Sequence, residues 1–327
     1  MPIPRIPRER LMALFERMPR LTVAVVGDVM LDRYLIGDTD RLSPEAPVPV
    51  VNVARHRATL GGAANVAANV AALGARCRLV GVVGDDGPAR TIRESMAEAG
   101  LSDEFLFVTR ERPTTSKTRV IARGQQVVRI DEEVAAEVQG DVLEGLVALA
   151  TRAVADADVL LLEDYNKGAL PPAVISAAIA EARRRGIPVV VDPKFRNFFA
   201  YAGATVFKPN RRELEAALGA TLNVDDHGAL PALLGRLGVE NLLLTLGPEG
   251  MLLVTPTGDA RIPSMAREVF DVSGAGDTVT AWVGAALAAG ATLMEAAQLA
   301  TIAAGIEVGK PGVATVSQEE VLEFTSA

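Results

Sequence analysis

The chain has 327 residues, 49% of them apolar, and 33 Lys and Arg stand against 41 Asp and Glu for a formal charge of −8. That length can bury a full core, yet no apolar stretch approaches the ~20 uninterrupted residues of a membrane span, and the acid excess argues against nucleic acid as the main partner. A single cysteine, Cys77, excludes an internal disulfide and a cysteine-based zinc site, and His56 and His227 are too few for a multi-histidine metal centre.

The first 20 residues show no apolar region ahead of a cleavage site, so the expected location is the cytoplasm. Residues 21–27 (LTVAVVG) are a β-branched run closed by Gly, the pattern of a strand buried in a parallel sheet. Asp28 and Asp32 follow it. In open α/β sheets ligands bind beyond the carboxyl ends of strands; a helix cap or loop ion pair is the plainer use of such acids. Residues 34–41 and 48–57 are extended segments around a Pro-rich turn, and 115–123 and 125–131 form a second pair joined through Gly124. We expect these four strands to make one small antiparallel sheet, inserted at about 34–57 and 115–131 of a single domain spanning 1–327. An exposed sheet edge needs covering, so this lid would also be a dimer surface.

Between the lid segments, Leu60-Gly61-Gly62-Ala63-Ala64-Asn65 opens an Ala-rich helix to about residue 73. Its paired glycines allow close backbone approach to a ligand, and Asn65 can reach back from the first turn. A strand at 78–84 and a helix capped by Asp85 and Asp86 come next. Beyond residue 134 helices and strands alternate: helix 139–155, strand 159–162, helix 171–185, strand 188–191, strand 205–207, then helices to 218 and near 227–237. Strand 241–246 meets its hairpin partner 251–255, a strand runs towards 270, and helices at 278–289, 293–308 and from 318 finish the chain. Such alternation implies a mainly parallel sheet covered on both faces.

One stretch stands out chemically: Asp271-Val272-Ser273-Gly274-Ala275-Gly276-Asp277-Thr278. Small residues at a helix start leave unpaired N–H groups that attract anions. An acid among them can take a proton from a hydroxyl as a phosphoryl group arrives; the alternative is an ordinary first-turn acid. The segment 305–311 falls one residue short of a P-loop, with Pro311 where Ser or Thr would bind magnesium. Gly274-Ala275-Gly276 lacks the third Gly of a dinucleotide fingerprint. Asp28, Asp32, Asp164, Asp192, Lys194, Lys208, Asn210, Glu213 and Asp277 all follow strands or open helices. Acids, a few lysines and a Gly-rich helix start suit magnesium–nucleotide chemistry in one shared cleft.

Gly61-Gly62-Ala63-Ala64-Asn65-Val66-Ala67 and the stretch 271–277 resemble, in order and separation, the two signatures of the ribokinase-like (PfkB) carbohydrate kinases, and the resemblance runs from 21 to 316. Trp282 is bulkier than the residue usual just after the second signature. The resemblance implies a three-layer α/β/α fold with a β-sheet lid, and a sugar kinase using ATP and Mg2+. It implies Asp277 as catalytic base, with the amides of Gly274, Ala275 and Gly276 leading into it as an anion hole. Asp28, Asp32, Gly61, Gly62 and Asn65 would line the sugar pocket. Asn210 and Glu213 would place Mg2+ and phosphates through water, beside Lys208, while Thr245, Gly247, Gly250 and Ala304 would border the nucleotide. A homodimer through the lid is also implied.

Within the family the likeness is closest to kinases acting on the C1 hydroxyl of D-glycero-β-D-manno-heptose 7-phosphate, which supply ADP-heptose for lipopolysaccharide core synthesis. Segments 27–34, 42–50, 117–119, 125–131 and 191–194 carry it. Lys117, Arg119, Lys194 and Lys208 then become candidates for holding the 7-phosphate. That kinase is often fused to a nucleotidyltransferase; with no His-x-Gly-His motif before Ala327, the expectation is the stand-alone form. Another sugar kinase of the same fold, or a non-catalytic sugar-binding protein, remains open.

Overall fold

A computed structural model describes residues 6–228 and 230–326. In chain order the elements are α1 (Arg8–Phe15), β1 (Thr22–Gly27), β2 (Val29–Leu42), β3 (Pro49–Gly62), α2 (Ala63–Ala72), β4 (Arg76–Gly84), α3 (Gly87–Glu98) and β5 (Leu106–Thr109). They continue with β6 (Thr115–Ala122), β7 (Gln125–Glu132), α4 (Gly140–Ala155), β8 (Val159–Glu163), α5 (Pro172–Arg185), β9 (Val189–Asp192), β10 (Val206–Phe207) and α6 (Arg211–Leu218). The last are α7 (Ala232–Leu237), β11 (Leu242–Thr245), β12 (Met251–Thr255), β13 (Gly258–Ile262), α8 (Ala275–Ala288), α9 (Leu293–Glu307) and α10 (Gln318–Ser326).

The main sheet runs β13-β12-β11-β10-β9-β8-β1-β4-β5. From β11 to β5 every neighbouring pair is parallel, and β12 and β13 extend the β11 edge as an antiparallel hairpin. β1 lies inside the sheet, which explains its unbroken apolar run. Its side chains alternate between two cores. Val23 and Val25 join the core that also takes in α2, α3, α8 and α9, while Ala24 and Val26 join the one that takes in α4, α5, α6 and α7. The expected ribokinase-like layering, with helices on both faces, is what forms. Trp282 is accommodated in the first core by α1, whose Phe15 meets it edge-on at 5.9 Å between ring centroids. No helix among the described residues is long and apolar enough to cross a membrane.

A second sheet, β3-β2-β6-β7, is the lid. Its inner pair, β2 and β6, is parallel, not antiparallel as expected, because two hairpins lie side by side in the same direction. The long strands are also rooted deeper than the sequence suggested. β2 begins at Val29 and β3 ends at Gly62, so both carry buried residues at the base and exposed ones at the tip. β7 is exposed along its whole length; its alternation marks no face buried within this chain.

Two further expectations are corrected and one strand is added. β5 forms an edge strand that periodicity did not reveal. The strand expected towards residue 270 ends at Ile262. Pro263 cannot donate to a ladder, and the chain then crosses α9: a Cβ on Gly305 would meet the backbone of Met265 at 2.8 Å. α7 starts at Ala232 instead of near 227, and Ala229 lies outside the described residues.

Candidate active site

Parallel strands of a common sheet end on one side, and there the chain delivers its acids. β1 leads to Asp28, β8 ends in Glu163 and leads to Tyr165, β9 ends in Asp192, and Lys208 follows β10. Into the same space projects the first turn of α8. Gly274 precedes it in the left-handed region (φ 96°), which turns the chain into the helix. A Cβ on Gly276 would lie 3.6 Å from both Asp192 Oδ2 and Lys208 Nζ, so the turn faces that pair.

Asp277 is 3% exposed. Asn65 Nδ2 donates to its Oδ2 at 2.7 Å, and the Tyr165 hydroxyl donates to its Oδ1 at 2.6 Å. Burial pushes the carboxyl up to about 6, against the lowering effect of those two hydrogen bonds. A base that titrates near neutrality, fixed from two sides, is suited to accept a hydroxyl proton.

Oxygens of Glu163, Asp192 and Asp277 lie within 4.8 Å of one another, all buried. Lys208 Nζ donates to Asp192 Oδ2 at 2.8 Å, and the pair is nearly dry. Glu163 is fully buried, and neither of its carboxylate oxygens has a hydrogen-bond partner. Burial, followed by the charges of Asp192 and Asp277, pushes it well above the usual carboxylate range. A buried carboxylate without a partner, in a set of hard oxygen donors, fits a divalent cation such as Mg2+.

Several expected site residues have other work. Asp28 is not presented to a substrate. Its oxygens accept the backbone N–H groups of Tyr165 (2.8 Å), Lys167 (2.9 Å) and Ala169 (2.9 Å), so it shapes the loop that carries Tyr165. Asn210 and Glu213 close a capping box on α6: Glu213 N donates to Asn210 Oδ1 at 2.9 Å, and Asn210 N donates to Glu213 Oε2 at 2.8 Å. All four proposed phosphate-holding cations already have carboxylate partners. Lys117 pairs with Asp131 and Glu133, Arg119 with Asp32, Lys194 with Glu213 and Lys208 with Asp192. None stands free for a distal phosphate without exchanging its partner.

Other expected neighbours do meet. Gly61 lies against Asp32, where a Cβ would stand 2.4 Å from Oδ2, so only glycine lets β3 pass that carboxylate. Gly62 (φ 55°) starts α2 and so aims Asn65 at Asp277. Thr245 bridges to Asn210, bringing the end of β11 beside α6. Gly247 and Gly250 form the following turn, and Gly250 packs on Ile262, its Cβ position 2.1 Å from the carbonyl oxygen. Ala304 sits half-buried on α9.

Sequence reasoning passed over Tyr165, Glu163 and Glu307 as site residues. Glu163 ends a buried strand, the same signal that singled out Asp192. Tyr165 carried no such signal, since its contact with Asp277 spans 112 positions. Glu307 lay within the failed P-loop pattern.

A family model described as pfkB family carbohydrate kinase matches residues 20–320. The bifunctional protein HldE of Pelobacter propionicus is 45% identical over 318 residues, covering 96% of this chain and 65% of that protein. HldE of Caulobacter vibrioides is 48% identical over 312 residues, covering 94% of this chain and 64% of that protein. The chain thus spans a little under two thirds of the length of these relatives. Among solved structures, Arabidopsis thaliana ribokinase complexed with ribose and ATP superposes with a TM-score of 0.75 at 22% identity, over 94% of this chain and 99% of that one. Escherichia coli phosphofructokinase-2 with substrates and products gives a TM-score of 0.76 at 17% identity, over 94% and 98%. At such identities the structural likeness speaks for the fold.

Proposed function

The chain belongs to the pfkB family of carbohydrate kinases, and from that premise we propose that it transfers the terminal phosphoryl group of ATP to the C1 hydroxyl of D-glycero-β-D-manno-heptose 7-phosphate. The product, a 1,7-bisphosphate, would feed ADP-heptose and lipopolysaccharide core synthesis in the cytoplasm. The observation that carries the chemistry is Asp277, buried at the start of α8 with both oxygens held. The sugar rests on the likeness to HldE proteins over most of the chain.

In this reading Asp277 takes the C1 hydroxyl proton as the oxygen attacks. Asn65 and Tyr165 hold the carboxylate still, which removes a reorganisation cost at the moment of reaction. The first-turn N–H groups of α8 receive the charge on the transferred phosphoryl. Asp32, paired with Arg119 at the base of the lid, offers acceptor oxygens to sugar hydroxyls. Glu163 and Asp192 would hold magnesium, and the ion would neutralise phosphate charge.

Purified protein with ATP and Mg2+ should release ADP with the highest kcat/KM on heptose 7-phosphate when compared with fructose phosphates, ribose and nucleosides. EDTA should abolish that turnover. Preference for another sugar overturns the heptose assignment; no sugar-dependent ADP release with any of them favours a non-catalytic binder.

The lid supports self-association. Leu42, Val48, Val53, Val127, Val128 and Ile130 are each at least 41% exposed there, an apolar surface that a second copy would cover. Light scattering is expected to give twice the chain mass, and Val128→Asp with Ile130→Asp to give one. A monomeric parent at micromolar concentration contradicts this assembly.

A further inference from the structure

Glu307 ends α9 and has no part in the mechanism above. It is fully buried, and apart from the nearby Ala314 amide its carboxylate oxygens meet no hydrogen-bond donor. Its Oε1 lies against the turn that precedes Asp277: a Cβ on Gly274 would stand 3.3 Å from Glu307 Oε1 and 3.0 Å from Asn65 Nδ2. The carboxyl therefore lies against Gly274 of the proposed anion turn, where the Asn65 amide that holds Asp277 also approaches.

Every local influence but two opposes a charge there. The site is dry, and a carboxylate at a helix C-terminus meets the negative end of the dipole. Asp277 from α8 and Asp271 from the segment before it add like charge. On the other side, the Ala314 amide and Lys310, from the loop after α9, favour ionisation. Lys310 is engaged elsewhere, however, with Glu320 at 2.5 Å and the Thr315 carbonyl at 2.7 Å.

We propose that Glu307 is a positioning residue that must carry a proton: neutral, it lets the Gly274–Asp277 turn receive a phosphoryl group, and ionised, it sets a negative charge behind that turn and expels the nucleotide. The inference rests on the kinase reading of the turn. Burial pushes the Glu307 carboxyl up to about 8. An acid raised in this way is protonated at neutral pH and loses its proton as pH rises through that value, so the loss of affinity belongs on the alkaline side.

The test is binding of a non-hydrolysable ATP analogue with magnesium, by calorimetry from pH 6.5 to 9.5, alongside kcat and the KM for ATP. For the parent, affinity should fall by at least about tenfold across that range, as expected for a new charge this close to a phosphate site. KM should rise while kcat at saturating ATP changes little. Glu307→Gln, which cannot ionise, should keep its affinity to high pH. Glu307→Leu should do the same, which guards against a folding defect peculiar to one variant. Superimposed pH profiles for parent and variants overturn the proposal. Absence of nucleotide binding in all proteins at every pH overturns it too, and the ADP-release assay then shows whether the kinase reading fails with it.

Discussion

Asp277→Asn is expected to lower kcat on the order of 10²–10⁴-fold, the usual contribution of a positioned general base, while nucleotide and sugar affinity stay within a few-fold. Asn fills the same volume and can still receive the Asn65 amide that now donates at 2.7 Å. The Tyr165 hydroxyl can turn from donor to acceptor at the other position. What is lost is the ability to take a proton. Binding measured by calorimetry and turnover measured by ADP release separate the two effects. A fall of less than about tenfold, ~1.4 kcal/mol of barrier, rejects Asp277 as the base and returns it to the role of a first-turn acid.

Lys208→Met should be the most destabilising single change at the site. Lys208 Nζ sits 2.8 Å from Asp192 Oδ2, with side chains 3% and 7% exposed. Burial by itself would lower the lysine, but the carboxylates of Asp192 and Glu163 outweigh it and keep it protonated. Removing one partner of a buried pair leaves an uncompensated charge and costs about 3–5 kcal/mol. Here the stranded charge would be that of Asp192, beside a Glu163 that burial already holds towards its neutral form. Urea denaturation of the parent and Lys208→Met checks the size. Adding Asp192→Asn to Lys208→Met should recover a sizeable share, since the stranded charge is then gone. A loss below about 1 kcal/mol, the scale of exposed pairs, would mean that the cluster is wet or uncharged.

Much of the architecture was legible because local pattern carries it. The run 22–27 could only be a strand buried on both faces, and its alternation between two helical layers follows from the pleat. The small residues of 274–276 announced a helix start with free amides, and Asp277 lies in that first turn. The lid was visible as two interruptions of the βα rhythm, although its strands reach further into the core and its inner pair is parallel.

Less of the site was legible, and Asp28 shows why. An acid after a buried strand looks the same in sequence whether it meets a ligand or a loop, and here three backbone amides claim it. The lysines and arginine that looked available to a phosphate are each matched by a carboxylate, from neighbouring strands of the lid, from the first turn of α6 or from the end of β9. Asn210 and Glu213 were read as metal-positioning residues, yet their spacing is equally that of a capping box, which is what they form.

The division follows from range. Periodicity, turn chemistry and the two Gly-rich signatures act within a few residues, so composition and order along the chain settle the fold class and a helix start beside Asp277; the structure begins that helix at Ala275, three residues before the expected 278. Which groups that acid meets is decided by packing. Asn65 reaches Asp277 across 212 positions and Tyr165 across 112, and Glu163 and Asp192 become neighbours only because β8 and β9 pair in register. A shift of one residue in that register would send Glu163 to the other face of the sheet. Asp277 was readable as an acid at a helix start; the dry surroundings that raise it towards neutrality, and the two hydrogen bonds that fix it and oppose that rise, exist only once the sheet has formed.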